Sequence, residues 1–246
     1  MKRIFMFLLS VLGIAGCAGG AGEQKYEVEH FKTVSGKDAA VTLVKHGSLE
    51  IRYGDYSIQV DPVSGLGRPT DYSSEFPRAD LILITHEHGD HLDKEAVEAL
   101  RKEGTRLIAN RRSADILGWG EVLENGAGET LRSDIRVDAV PAYNTTEGHL
   151  DFHPKGRDNG YVITLDGLKI YVAGDTEVIP EMASLADVDV AFLPVNQPYT
   201  MTVEQCVEAA RLVRPAVLIP YHFGDTDLSG LESMLPGIEV RLRQMQ

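Results

Sequence analysis

The segment Thr85-His86-Glu87-His88-Gly89-Asp90-His91 directly follows four unbroken apolar residues, Leu81-Ile82-Leu83-Ile84, and this junction restricts the fold more than any other feature of the chain. A short run rich in β-branched residues suits a strand covered on both faces, so the polar residues after it emerge at the edge of a buried sheet. In extended chain alternate residues point the same way, which directs His86 and His88 to one cation. The tighter turn through Gly89 aims Asp90 and His91 at a second position. Neutral imidazoles with a carboxylate suit zinc first, and also manganese or iron. Four ligand-type residues in six positions are hard to account for as solvated loop histidines.

Further apolar runs, Val190-Ala191-Phe192-Leu193 and Ala216-Val217-Leu218-Ile219, have the same doubly covered character. They place the chain in the α/β class, or in a layered α+β arrangement. Two helices are expected. One spans residues 93–103 with Gly104 as its stop; the other has Thr202 as N-cap and Gln205 as capping-box partner, with an apolar stripe of Val203, Cys206, Val207, Ala210 and Val213 before Pro215.

A repeat lies in pattern rather than identity. Residues 49–53, a turn at Gly54-Asp55 and residues 57–60 ending in Asp61 correspond to residues 161–165, a turn at Asp166-Gly167 and residues 169–173 ending in Gly174-Asp175. After each hairpin an Asp introduces an apolar strand, Asp80 before His86 and Asp189 before Asn196. Two such halves imply two sheets packed face to face, with a site along one shared edge. No linker argues for a second domain within residues 25–246.

At these residues the chain resembles the metallo-β-lactamase superfamily, and more narrowly its branch of ascorbate-6-phosphate lactonases, N-acyl-phosphatidylethanolamine phospholipases D and related metal-dependent hydrolases. The resemblance implies a four-layer αββα sandwich of two mixed sheets. Lys45-His46-Gly47-Ser48 through Asp61-Pro62 is similar to the branch's opening hairpin. Val172-Ala173-Gly174-Asp175-Thr176 is similar to the segment whose Asp bridges both metals, and Pro220-Tyr221-His222-Phe223-Gly224 to the closing strand whose His binds the second. The resemblance thus implies bridging by Asp175 and ligation by His222. It places His46 near the mouth of the site without binding metal, with a plain surface residue as the competing reading. Asp61 is a candidate for orienting the histidine loop by hydrogen bonds.

The chain departs from the pattern at Val140-Pro141-Ala142-Tyr143-Asn144, where Tyr143 stands in the place of the third histidine of the first metal site. His149 and His153 are the candidates to replace it. His153 is preferred, because the following Pro154 restricts its backbone, and the loop of residues 144–160 would then fold over the cleft. Lys155 and Arg157 beside it could hold an anionic group of the substrate, although solvated loop cations are a competing reading.

The expected chemistry is hydrolysis of a phosphodiester, lactone or related ester or amide by a hydroxide shared between two divalent metals, with Asp175 bridging and Asp90 orienting the nucleophile. The alternatives are a lipoprotein that binds metal or a small ligand without turnover, and a true β-lactamase.

Lys2 and Arg3 before an apolar run over residues 4–14 give residues 1–16 the pattern of a signal peptide. Ile14-Ala15-Gly16-Cys17 resembles a lipobox, so Cys17 is expected to carry lipid, residues 17–24 to form a tether, and the chain to be exported to the periplasm or cell envelope. A formal net charge of −13 argues against nucleic acid as a partner, which leaves a small molecule as the substrate and the lipid on Cys17 as the only membrane contact. Cys206 then has no disulfide partner and reads as a buried structural thiol.

Overall fold

The computed structural model describes residues 25–245. The residues read above as a signal peptide, a lipidated Cys17 and a tether lie outside the described residues, among which no helix is long and apolar enough to cross a membrane.

The first half forms one seven-stranded sheet in sequential order, β1 (Glu27–Lys32), β2 (Asp38–Lys45), β3 (Ser48–Tyr53), β4 (Tyr56–Val60), β5 (Leu81–Ile84), β6 (Arg106–Ala109) and β7 (Glu121–Val122). Between its strands lie the helices α1 (Tyr72–Glu75), α2 (Lys94–Leu100) and α3 (Arg111–Leu117). The second half forms the other sheet from β8 (Gly128–Arg132), β9 (Ile135–Ala142), β10 (Asp158–Leu165), β11 (Leu168–Val172), β12 (Val190–Pro194), β13 (Val217–Tyr221) and β14 (Glu239–Val240). Its helices are α4 (Val203–Val213) and α5 (Leu231–Met234), with a 3-10 turn at Pro180–Ser184.

In each sheet the first three pairings are antiparallel and the last three parallel. The anticipated repeat is thus a duplicated sheet. Asp80 and Asp189 do the same local work in the two copies: their carboxylates accept from Ser57 N and Lys169 N at 2.9 and 2.8 Å. The register shifts one correspondence, however. Asp61 N donates to Leu83 O and Ala173 N to Phe192 O, so the partner of Asp61 is Ala173, and Asp175 lies two residues further along the chain.

Alternation along the buried strands explains the layers. Leu81 and Leu83 join Val190 and Phe192 in the core between the sheets. Ile82 and Ile84 face Ala96, Val97 and Leu100 of α2, while Ala191 and Leu193 face Cys206, Ala209 and Ala210 of α4. Unbroken apolar runs are therefore required at β5 and β12, since both faces are dry. The result is an αββα sandwich. The capping box of α4 forms as expected between Thr202 and Gln205. The earlier helix is shorter than its periodicity predicts: Asp93 caps it, but it ends at Leu100, whose carbonyl accepts from Ala79 N, and the chain turns through residues 102–105 instead.

Candidate metal centre

Strands end at one edge of the sandwich, and there the two sheets are joined directly: Asn159 N donates to Thr85 O at 3.0 Å and Tyr161 Oη to Ile84 O at 2.7 Å. The histidine turn after β5 sits at this seam. Two glycines let it close. A Cβ on Gly47 would stand 2.6 Å from His91 Cε1, and one on Gly174 would stand 2.7 Å from Asn159 O. Gly174 also has a φ of 66°, the left-handed region that favours glycine.

Two groups of donor atoms result. In one, the ligand atoms of His86, His88 and His153 lie within 4.8 Å of one another; in the other, those of Asp90, His91, His222 and His46 do. Asp175 stands between the groups, with Oδ2 at 3.8 Å from His86 Nε2, 3.4 Å from His153 Nε2 and 3.3 Å from His222 Nε2, and Oδ1 at 3.3 Å from His91 Nε2. Each group draws donors from both sheets. Of the competing residues at the first position, the structure brings His153 to the cluster and neither Tyr143 nor His149. Tyr143 packs into the apolar layer outside the second sheet and sends its hydroxyl to Glu181 Oε2 at 2.9 Å. His149 pairs with Glu177 at 3.3 Å.

The residues present fit divalent cations. Two ligands of a tetrahedral centre with bonds of about 2.0–2.1 Å lie about 3.3 Å apart. That is the observed spacing of His91 and His222 from Asp175, and of His222 Nε2 from Asp90 Oδ2 at 3.4 Å. His91 Nε2, His222 Nε2 and Asp175 Oδ1 are buried, and among the described residues they make no hydrogen bond. Buried polar atoms normally have partners, so these three point to a shared cation.

The Nδ1 atoms of His86, His91 and His153, which face away from the centre, are fixed by acceptors. Asp61, fully buried, accepts from Thr85 N at 2.7 Å and Thr85 Oγ1 at 2.6 Å, and takes His91 Nδ1–H at 2.8 Å. With its own hydrogen given to Asp61, Thr85 Oγ1 is left to accept from His86 Nδ1 at 2.9 Å. Asp158 does the same for His153 Nδ1 at 3.2 Å. These bonds select the tautomer whose Nε2 lone pair faces the centre. Burial, aided by His91, pushes the His86 imidazole well below its ordinary value and keeps it in the neutral, ligating form. Burial works against charge on Asp175 and Asp90, but the surrounding imidazoles, His222 foremost, hold both carboxyls well below the usual carboxylate range. Burial alone would lower His91 as well. The facing Asp175 and Asp61 outweigh it and raise His91 well above its ordinary value, which marks a place that favours positive charge.

Several contributors were not anticipated from the sequence. Asp158 is one; it also receives Arg157 Nε at 2.7 Å and Asn110 Nδ2 at 3.2 Å. Glu177 is another, a buried carboxylate accepting from Thr145 N at 2.7 Å and Thr146 N at 2.6 Å, which fixes the start of the loop that carries His153. That loop ends at Arg157 rather than Gly160, because β10 begins at Asp158 by pairing with Ala142. Arg157 is not a free substrate cation: its guanidinium is held by Asp158 and Phe152 O. Lys155 bonds Tyr143 Oη at 3.0 Å and Glu181 at 3.2 Å, yet its side chain is 66% exposed. Both line a cleft of about 280 Å³ with Asn110, Arg112, Asn125 and Asn159.

Comparison with known proteins identifies the family of this fold. The model of the β-lactamase superfamily domain matches residues 40–222. A metal-dependent hydrolase of Thermococcus kodakarensis is 31% identical over 195 residues, covering 74% of this chain and 84% of that one. The crystal structure of a protein from Parabacteroides distasonis, designated a metal-dependent hydrolase, is 55% identical with a TM-score of 0.86, covering 90% of this chain and 100% of that one. Igni18, a metallo hydrolase of Ignicoccus hospitalis, is 25% identical with a TM-score of 0.70, covering 84% of this chain and 95% of that one. With a family model over most of its length and hydrolases among its relatives, the chain belongs to the metallo-β-lactamase superfamily and is a metal-dependent hydrolase.

Proposed function

We propose that the chain uses two divalent cations, zinc first among them, to hydrolyse a phosphodiester, lactone or related ester or amide. His86, His88 and His153 would hold one cation, Asp90, His91 and His222 the other, and Asp175 both. The observation that carries this reading is the pair of donor groups, spaced as coordination shells and sharing one buried carboxylate. Bound there, the cations would lower the pKa of water toward neutrality and polarise the oxygen of the scissile group.

The chain's own residues divide the remaining work. Asp175 is almost fully buried, whereas the Asp90 side chain keeps 35% of its surface exposed, so Asp90 is the carboxylate that meets entering water and orients it. Asp61 and Asp158 keep the imidazoles of His91 and His153 from rotating. A side-chain nucleophile is not required, and burial pushes the Cys206 thiol up to about 12, which makes it inert. Lys155, rather than Arg157, is the cation available to an anionic group of the substrate.

The test loads the protein with zinc or manganese and measures bound metal together with hydrolysis of a phosphodiester, a lactone, a carboxylic ester and a β-lactam. Two equivalents and turnover of one of the first three support the reading. Fewer than two equivalents in folded protein overturns the two-cation centre, and turnover of the β-lactam alone overturns the substrate class. Export and lipidation are proposed on residues 1–17. Incorporation of labelled palmitate by the wild type but not by Cys17→Ser supports them, and none in the wild type overturns them.

A further inference from the structure

His46 belongs to neither of the two ligand triads proposed above, yet its surroundings are those of a ligand. Its Nε2 lies 3.3 Å from Asp90 Oδ2, and the ring is 3.7 Å from that of His222, centroid to centroid. Together with Asp90, His91 and His222 it offers a set of four atoms all within 4.8 Å of one another. The 3.3 Å spacing again suits two ligands of one cation with bonds of about 2.0–2.1 Å.

The backbone commits the residue to this place. His46 has a φ of 42°, a left-handed conformation that a side chain other than glycine rarely adopts. Two backbone hydrogen bonds hold it there, one from His46 N to Met245 O and one from His222 N to His46 O. Met245 is itself anchored, its side chain buried in the core between the sheets. The adjoining tail is tied to β1 by Arg243 Nε on Glu29 and by Gln244 N on Glu27. Gly47 then admits the His91 ring at a distance no side chain would allow. Strained backbone that surrounding structure over-determines is a feature of functional sites.

We propose that His46 is a fifth protein ligand of the second cation position, beside Asp90, His91, His222 and the shared Asp175, so that this position is richer in protein donors than the first. The inference rests on the two-cation reading given above. It also separates the duties of two neighbouring groups: His46 ligates, and the C-terminal tail is the brace that keeps its imidazole turned inward.

The experiment titrates metal-free protein with cobalt(II), reading the affinity and the visible absorption of each equivalent. His46→Gly is the variant, because glycine accepts the local φ and only the imidazole is lost. The equivalent that fills the second position is expected to weaken by roughly 100-fold or more, beyond what loss of a residue that merely orients a ligand usually costs. Its absorption bands should shift, and free imidazole should restore both affinity and bands. His222→Ala identifies which step reports that position by the equivalent it loses. Unchanged bands overturn the proposal whether or not affinity falls, since a residue that only positions Asp90 leaves the donor set intact. If the wild type binds fewer than two cobalt ions, the two-cation reading itself has failed; if it binds two and His46→Gly matches it, only the role of His46 has.

Discussion

The two sheets are copies in pairing and opposites in use. In the first, the carboxylate at the end of β4, Asp61, turns back to hydrogen-bond His91 and Thr85. In the second, β11 runs two residues further through Gly174 before presenting Asp175 to both donor groups. The first half also delivers four ligand-type residues within six positions after β5, whereas the second collects Asp175, His153 and His222 from two strand ends and a loop. Duplication supplies the same edge twice; what each half does there depends on one or two residues of extension past the strand.

That contrast can be broken most severely at Asp175. Asp175→Asn removes the charge shared by both groups and should abolish hydrolysis and lower metal stoichiometry, while near-ultraviolet circular dichroism stays that of the wild type. Loss of folded signal would mean that the second half uses Asp175 to hold structure, as the first uses Asp61. The equivalent cores should respond alike. Leu83→Ala and Phe192→Ala, at matched positions of β5 and β12, should each cost about 2–5 kcal/mol in urea unfolding. A difference well outside that range would show that the copies do not share the load.

The supporting carboxylates should act locally. Asp61→Asn should weaken the cation held with His91, and Asp158→Asn the cation held with His153, each by roughly 10–100-fold in a metal titration. If either variant weakens both equivalents to the same extent, the positions are coupled rather than separately supported. The smallest effect is expected at Glu177. Its carboxyl lies below its ordinary value because, although burial opposes charge, the Thr145 and Thr146 N–H groups favour it. A depressed folded value adds stability above the ordinary carboxylate pKa and forfeits it as pH falls through the folded one. Glu177→Gln should therefore be less stable than wild type by about 1–3 kcal/mol at neutral pH, with the gap closing below about pH 4.5. A gap that widens in acid would contradict this account.

Legibility followed the same division. The turn after β5 could be read because its ligands are close in sequence, and the doubly covered strands because both of their faces are apolar. The capping box of α4 was equally local. Asp158 and Glu177 could not be recognised, since a carboxylate gains meaning only when the fold brings an imidazole or a row of N–H groups to it. Arg157 suggested a substrate cation by its neighbour Lys155, and tertiary contact with Asp158 gave it another duty. The helix after Asp93 was over-extended because residues 101–103 are good helix formers, and the demand of Ala79 N for the Leu100 carbonyl ended it sooner. The role of the tail was invisible: nothing in Met245 itself announces that its carbonyl will meet His46.

Since each donor group draws on both sheets, cation binding there would be thermodynamically linked to folding. Every tenfold rise in free cation above its dissociation constant adds about 1.4 kcal/mol per position to the unfolding free energy, provided the unfolded chain does not compete. On the two-cation reading the melting temperature would therefore gauge the metal supply around the protein, and a chain made during scarcity would face a higher chance of proteolysis before it meets a substrate.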